Sequence, residues 1–260
     1  MLTFLGRKTL SFLSYVGEVA LLAYETVLAV FISKLRWRLF LRQVVEMGFR
    51  SQLVVLVTGG FTGAVFAAQT FFQFQRLGMG SAVGAVVSVS MFRELGPVLT
   101  GLMVSGRVGA AIAAEIGTMK VTEQIDALRS LGVHPTDYLV VPRALAMLIS
   151  MPLLVLECVG LGILAGYYVG TEVLGISGAY YLENMLKFTT GRDIKMAVTK
   201  GFVFGLLIVF IACHQGLHAK EGAVGVGRAP TEAVVISSLA ILVCNFFLSF
   251  ALNLIFPYGS

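Results

Sequence analysis

The sequence predicts an all-α integral membrane protein with an N-terminal interfacial helix, five transmembrane helices and a short cytoplasmic helix between spans two and three. Of the 260 residues, 57% are hydrophobic and only 13% are charged, whereas an ordinary soluble domain has roughly 25% charged residues. The apolar residues form runs close to the ~20 residues that a bilayer-spanning helix needs. Too few residues remain for a separate soluble catalytic domain.

The first 50 residues predict a helix that lies on the membrane surface. Residues 9–33 are apolar except for Glu18 and Glu25, which are seven apart and therefore share one helical face, and a basic cluster follows. This pattern is typical of an amphipathic helix in the cytoplasmic interface. A sixth span is the alternative, and it would move one terminus to the other side. We divide the chain into this N-terminal segment, 1–50, and a five-span domain, 51–260.

Five further apolar runs predict the spans. They cover residues 51–75, 81–106, 144–171, 201–217 and 233–256. Most Lys and Arg residues fall before the first span and in alternate loops, and such residues are retained on the cytoplasmic side. The N-terminus is therefore predicted to be cytoplasmic. The net charge of +5 follows from this topology, and we predict no nucleic-acid partner.

Charged residues inside the predicted spans are the first candidates for a functional site. Arg93 and Glu94 interrupt the second span, Glu157 lies in the third, and Lys200 begins the fourth. An ionisable side chain near the bilayer centre costs at least about 2.5 to 3.5 kcal/mol on insertion scales. Two interpretations stay open. The charges form a paired network that holds the helices in register, or they line a hydrated cavity where Arg93 and Lys200 attract an anionic headgroup while Glu94 orients Arg93.

The outer end of the first span offers a second candidate surface. Gln69 and Gln73 are i,i+4 neighbours, Phe66 and Phe74 are close by, and Leu77 follows one turn later. Alternating aromatic and amide side chains suit a molecule with acyl tails and a polar head. They also suit plain helix packing, in which Gln side chains bond across helices.

The segment between spans two and three, residues 107–143, is the longest predicted cytoplasmic loop, and most of it is compatible with helix. Small residues recur every four positions and predict close approach of another helix; they are Gly101, Ser105, Gly109, Ala113 and Gly117. The last part of the loop predicts a short helix that Thr122 caps, with Glu123 and Asp126 in its first turn and Gly132 at its end.

An apolar stripe on this short helix predicts a docking element. Ile125, Leu128 and Leu131 lie on one face, and such a stripe on a projecting helix fits a groove on a partner.

Residues 93–135 (RELGPVLTGLMVSGRVGAAIAAEIGTMKVTEQIDALRSLGVHP) resemble the signature region of the MlaE-type permeases. These are the membrane subunits of ATP-binding-cassette (ABC) systems that move phospholipid between the inner and outer membranes of double-membraned bacteria. The five-span layout, the outer segment 172–195 and the turn at 225–234 resemble the family as well. The resemblance implies a multi-pass protein of the bacterial inner membrane.

The resemblance also implies partners and site residues. It implies a homodimer, two ATPase subunits, and an outer-side ring of MCE-domain lipid-binding proteins. The coupling helix that fits the ATPase would comprise or adjoin Glu115, Thr122, Glu123, Gln124, Asp126, Leu128 and Arg129. The phospholipid headgroup would lie near Arg93, Glu94 and Lys200. The route outward would follow Phe66, Gln73 and Leu77, and we add Gln69 and Phe74 by position.

Motifs for other chemistry are missing from the sequence. No G-x-x-x-x-G-K-[ST] occurs, so we predict no cofactor in this chain and expect ATP to be bound by the partner ATPase. His214 and His218 are four apart, with Glu221 one turn further, but there is no H-E-x-x-H and we predict no metal site. We predict a transporter subunit and no enzyme. The alternative function is an ion-coupled secondary transporter that uses Glu94 or Glu157.

Overall fold

The computed structural model describes residues 2–32, 36–76, 78–220 and 222–256, and this part of the chain is helical with no β-strand. The predicted all-α class is confirmed. The helices are α1 Leu2–Ile32, α2 Trp37–Met47, α3 Gln52–Gln75, α4 Val83–Ser90, α5 Gly96–Val104, α6 Ala110–Val121, α7 Gln124–Ser130, α8 Val141–Tyr168, α9 Gly178–Phe188, α10 Gly191–Leu217 and α11 Ala223–Ile255.

Within the described ranges, six helical segments have the length and apolar composition to cross a membrane. They are Gly6–Ile32, Trp37–Gln75, Val83–Val121, Thr136–Val173, Gly191–Leu217 and Val224–Ile255. The last five cover the five predicted spans, apart from residues 81, 82 and 256. The first is long enough for a sixth span, so the interfacial placement of residues 9–33 stays a prediction, with the sixth span as its alternative.

The second and third spans are longer than the sequence indicated. Helices α4, α5 and α6 join through two π-helical turns, Met91–Leu95 and Ser105–Gly109, into one segment. The third span gains a π-helical turn at each end, Thr136–Val140 and Val169–Val173. The predicted loop 107–143 therefore shrinks to residues 122–135. The expectation was wrong because Arg107, Lys120 and Arg143 were taken as loop residues, although Arg107 and Arg143 bond to other helices of the bundle and Lys120 lies in the last turn of α6.

The fourth and fifth spans also begin about ten residues earlier than predicted. Helix α10 starts at Gly191 rather than 201, and α11 starts at Ala223 rather than 233. Charged residues again caused the difference, because Asp193 and Lys200 are wholly buried inside the bundle. They were taken to lie at or outside the membrane boundary.

Small residues allow the closest helix packing. A methyl group added at Gly63 would lie 2.0 Å from the carbonyl oxygen of Gly162, and one added at Gly59 would lie 2.4 Å from that of Cys158. Helices α3 and α8 therefore touch backbone to backbone, as small residues permit in membrane bundles. The predicted face from Gly101 to Gly117 likewise packs closely, against α10 and α11.

The predicted outer segment 172–195 contains helix α9, which packs against α4. Tyr181 is its only buried residue and contacts Tyr167 edge to face at 5.4 Å. Burial raises the pKa of Tyr181 to about 12, because an apolar environment disfavours the phenolate.

Candidate functional site

A network of charged and polar side chains joins the π-helical turn at Met91–Leu95 to helices α10 and α11. The Lys200 ammonium donates to the Arg93 carbonyl oxygen, to Ser249 Oγ at 2.7 Å, and to Glu94 Oε1 at 3.0 Å. All three donors of the ammonium are therefore used. Asn245 and Ser249 each donate to Glu94 at 2.8 Å.

Arg93 has a different anionic partner. Its Nε donates to Asp193 Oδ1 at 2.6 Å, and the Asp193 side chain is completely buried. Asp193 Oδ2 accepts from the Thr190 backbone N–H at 2.8 Å and from its hydroxyl at 3.0 Å. The carboxylate thus closes a capping box at the start of α10 while it binds Arg93.

The predicted charge balance holds, but with different partners. We expected Glu157 as the second anion and Glu94 as the group that orients Arg93. Instead Glu94 pairs with Lys200, Asp193 pairs with Arg93, and Glu157 accepts from Gln52 at 3.0 Å on another side of the bundle. The expectation was wrong because Asp193 had been placed in a loop, outside the fourth span.

The network lies deep in the bundle. Arg93 is ten residues from the start of its span at Val83, and Lys200 is nine residues from Gly191. At 1.5 Å per residue each lies about 14 to 15 Å along its helix from that end, a length equal to about half of a ~30 Å hydrocarbon core. Lys200 is completely buried, whereas 45% of the Glu94 side chain is exposed in the single chain. One carboxylate of the network therefore reaches the surface of the protomer.

The candidate residues of the first span lie on a different helix. Phe66 and Phe74 are partly buried against the core, while Gln69 and Gln73 are exposed on α3. Helix α3 packs mainly against α8 and α4, whereas the charged network is completed by α10 and α11. Within one protomer these residues are therefore a separate surface. Leu77 lies outside the described residues.

The short helix between spans two and three is α7. Its N-cap is Glu123, which has a left-handed backbone with φ of 59°, and Thr122 is the C-cap of α6 instead of the predicted cap of α7. Gly132, with φ of 72°, follows the helix as predicted. This backbone turn at Glu123 makes α7 a helix distinct from α6.

The polar face of α7 is exposed, and its side chains pair with one another and with the end of α6. Asp126 Oδ1 accepts from Arg129 at 3.1 Å, and Asp126 Oδ2 accepts from Lys120 at 3.4 Å. Gln124 donates to the Thr122 hydroxyl at 3.0 Å. Glu123 has no such ion pair within the described ranges, so its carboxylate is available to a partner.

The predicted apolar stripe is divided. Ile125 is buried against its own chain, Leu128 is half-buried, and only Leu131 is widely exposed, at 78%. The expectation of one exposed stripe was wrong because Ile125 anchors α7 to the bundle. A docking partner would therefore meet the polar face and Leu131.

Glu115 on α6 forms an ion pair with Arg143 on α8. It accepts from Arg143 at 2.8 Å, and the Arg143 guanidinium, which is 4% exposed, also donates to the Leu139 carbonyl oxygen at 2.6 Å. This pair joins α6 to α8. More than half of the Glu115 side chain is exposed, so it remains accessible beside the cytoplasmic helix.

The sequence is similar to those of known permeases. The family model described as Permease MlaE matches residues 40–251. The chain belongs to the MlaE permease family. A probable ABC transporter permease protein of Rickettsia conorii is 44% identical over 244 residues, which cover 94% of each chain. A probable ABC transporter permease protein of Synechocystis is 42% identical over 85% of each chain.

A more distant relative comes from a plant. Protein TRIGALACTOSYLDIACYLGLYCEROL 1, chloroplastic, of Arabidopsis thaliana is 39% identical over 232 residues, which cover 89% of this chain and 66% of the plant protein. Together with the apolar helices, these matches establish this MlaE permease as a multi-pass membrane subunit of an ABC transporter rather than a catalytic enzyme.

Three polar residues of the MlaE permease network were missed in the sequence. Asp193 follows Thr190 by three positions, which is the spacing of a capping box and marks a helix start there. Asn245 and Ser249 are i,i+4 neighbours in an otherwise apolar span. Polar side chains at that spacing in a membrane helix indicate a common partner, and that partner is Glu94.

Proposed function

We propose that this permease moves phospholipid between the inner membrane of a bacterium and an outer-side MCE-domain carrier, as a homodimer driven by a separate ABC ATPase. The single observation that carries the proposal is the half-exposed Glu94 in a charge-balanced network within the membrane-spanning helices. ATP is bound by the partner, because this sequence contains no P-loop.

The exposure of Glu94 supports the homodimer. A carboxylate at mid-membrane is costly against lipid tails, and such groups face a bundle interior or a water-filled cavity. In one protomer 45% of the Glu94 side chain has no cover. A second copy packed around this face encloses Glu94 in a shared polar cavity, where a lipid headgroup has both cationic and anionic groups within reach.

The cargo class is supported by two further observations. The network presents the partly exposed Arg93 beside Glu94, which suits both the phosphate and the amine of a zwitterionic headgroup. The plant relative carries the name of a diacylglycerol lipid. The exposed Gln69 and Gln73 on α3 extend the proposed route toward the outer side, where the MCE-domain partner would receive the lipid.

Substitution of Glu94 tests the headgroup contact. Glu94→Gln keeps an oxygen to accept from Asn245 and Ser249 but leaves the Lys200 charge uncompensated. We expect the purified permease to retain a higher ratio of anionic phosphatidylglycerol to zwitterionic phosphatidylethanolamine, measured by mass spectrometry of extracted lipid. Glu157→Gln, in another part of the bundle, is the matched control. An unchanged ratio in Glu94→Gln would rule out contact between the network and the headgroup.

We propose that helix α7 docks on the ATPase and transmits its conformational change to the permease. The residues at or near this contact are Glu115, Thr122, Glu123, Gln124, Asp126, Leu128 and Arg129. The double variant Glu123→Asn, Asp126→Asn removes both charges, and Asn tolerates the left-handed backbone at position 123. We expect the ATPase to co-purify in much smaller amounts. Glu172→Gln, in the predicted outer segment, is the control, and equal co-purification of the two variants would argue against docking at α7.

Native mass spectrometry of the complex from its own membranes tests the assembly. We expect two copies of this chain, two ATPase subunits, an outer-side MCE-domain protein and bound phospholipid. A lone chain whose transport follows a proton gradient would instead favour the ion-coupled transporter. In that case Glu94→Gln or Glu157→Gln should abolish transport without any effect of ATP.

A further inference from the structure

Three side chains with metal-binding atoms meet where α1 crosses the C-terminal end of α10. His214 Nε2 is 2.9 Å from Glu18 Oε2, and His218 Nε2 is 4.0 Å from the same oxygen. One donor atom from each residue lies within 4.8 Å of the others. The pair of histidines is visible in the sequence, but Glu18 is almost 200 residues away and only the fold adds it.

The surrounding contacts fix the orientation of both imidazole rings. His218 Nδ1 is 3.0 Å from the His214 carbonyl oxygen. A carbonyl oxygen only accepts, so Nδ1 carries the hydrogen, and in the neutral imidazole Nε2 presents its lone pair toward Glu18. The two rings stack with centroids 4.2 Å apart, and Tyr15 packs edge-on against His214 at 4.8 Å. Metal-binding histidines are typically oriented by such a backbone carbonyl bond.

We propose that Glu18, His214 and His218 form a Zn²⁺ site that joins α1 to the end of α10. Two imidazole nitrogens and one carboxylate oxygen are a frequent zinc ligand set, with water in the fourth position. Tetrahedral bonds of ~2.0 to 2.1 Å place ligand atoms about 3.3 Å apart. The two distances to Glu18 Oε2, 2.9 and 4.0 Å, each differ from that value by less than 1 Å, and the donor atoms of the two histidines lie within 4.8 Å of each other. Side-chain rotations bring the three atoms to coordination distance.

A direct hydrogen bond explains only part of this cluster. It accounts for the approach of Glu18 to His214 but leaves His218 Nε2 at 4.0 Å from the same oxygen, which is too far for a hydrogen bond. A cation at this point satisfies all three groups.

The proposed site is open to water. It borders a cavity of about 300 Å³ that Ile125 and Arg129 of α7 also line, so a fourth ligand and an entry path are available. A metal here would fix α1 against α10 beside the helix that we propose to bind the ATPase. The zinc site itself rests on the geometry of Glu18, His214 and His218 and does not depend on the transported substrate.

Titration of the purified full-length chain with Co²⁺ tests the site directly. The protein is prepared without a polyhistidine tag, so the three histidines at positions 134, 214 and 218 are the whole set. We expect the visible d–d absorption of four-coordinate Co²⁺, saturation at one ion per chain, and displacement by Zn²⁺. Zn²⁺ should also raise the thermal unfolding midpoint, because a ligand that binds only the folded state stabilises it.

Two variants decide the assignment. His218 is 58% exposed, so His218→Ala removes one ligand and leaves the Glu18–His214 contact that holds α1. We expect at least the roughly 10- to 100-fold loss of metal affinity that follows removal of an outer-shell partner. His134→Ala, at an exposed loop position, should bind like the wild type.

Several results would overturn the proposal. They are no Co²⁺ absorption in the wild type, equal affinity in His218→Ala and His134→Ala, or a near-ultraviolet thiolate band that places the ion on cysteine. The first result would leave the cluster as a hydrogen-bonded contact between α1 and α10.

Discussion

Replacement of Lys200 by Met tests how strongly the charged network stabilises the bundle. Met has a similar length and removes the ammonium without opening a large cavity. The Lys200 side chain is completely buried and donates to Glu94 Oε1 at 3.0 Å and to Ser249 Oγ at 2.7 Å. The variant therefore leaves the Glu94 carboxylate without its cationic partner.

The magnitude follows from the burial of the two partners. Removal of one partner of a fully buried ion pair costs about 3 to 5 kcal/mol. Glu94 is 45% exposed and keeps two donors, Asn245 and Ser249, at 2.8 Å. Its charge is therefore partly compensated, and we expect Lys200→Met to lower the free energy of unfolding by about 2 to 3 kcal/mol. The double variant Lys200→Met, Glu94→Gln removes both charges and should lose only about 1 kcal/mol.

Unfolding in mixed detergent and SDS micelles measures these free energies. The double-mutant cycle, completed by Glu94→Gln alone, isolates the interaction of the two residues, which we expect to be at least about 1 to 2 kcal/mol. Lys195→Met is the matched control, because Lys195 is exposed on the same helix, and it should change stability by less than about 0.5 kcal/mol. A cost for Lys200→Met like that of this control, or a double variant no more stable than Lys200→Met alone, would refute a stabilising ion pair between Lys200 and Glu94.

The remaining predictions concern packing, a buried phenol and the Glu115 pair. Gly63→Ala should destabilise the protein by about 1 to 3 kcal/mol, because the added methyl lies 2.0 Å from a backbone oxygen. Gly160→Ala is the control, since a methyl group there meets open space, and it should be neutral or stabilising. Similar losses in both variants would contradict the close approach of α3 and α8. Between pH 10.0 and about 12 the folded protein retains the Tyr181 proton that the unfolded chain releases. The free energy of unfolding should therefore fall with rising pH in the wild type, and less steeply in Tyr181→Phe. Parallel curves of unfolding free energy against pH for the two proteins would contradict the burial of this phenol. Glu115→Gln should lower the free energy of unfolding by no more than about 1 kcal/mol, because Glu115 is exposed and Arg143 keeps its bond to the Leu139 carbonyl. A loss above about 3 kcal/mol in the same unfolding assay would show that the pair behaves as a buried one.

The sequence by itself determined the fold class, the approximate positions of five spans and the family. Each depends on a local property: apolar run length, the spacing of small residues, and a continuous signature at residues 93–135. It also identified Arg93, Glu94 and Lys200 as residues that require an explanation, because the cost of a charge in a membrane depends on its depth and needs no knowledge of its neighbours.

Only the tertiary structure decided which groups meet. Glu94 binds Lys200 across 106 residues of chain and Arg93 binds Asp193 across 100, whereas the sequence suggested Glu157 as a member. The approach of Glu18 to His214 is equally remote. Hydropathy locates helices along the chain, but their partners are fixed by the order in which they pack around one another. Close contacts such as Gly63 with Gly162 determine that order, and they depend on atoms from two separate helices at once.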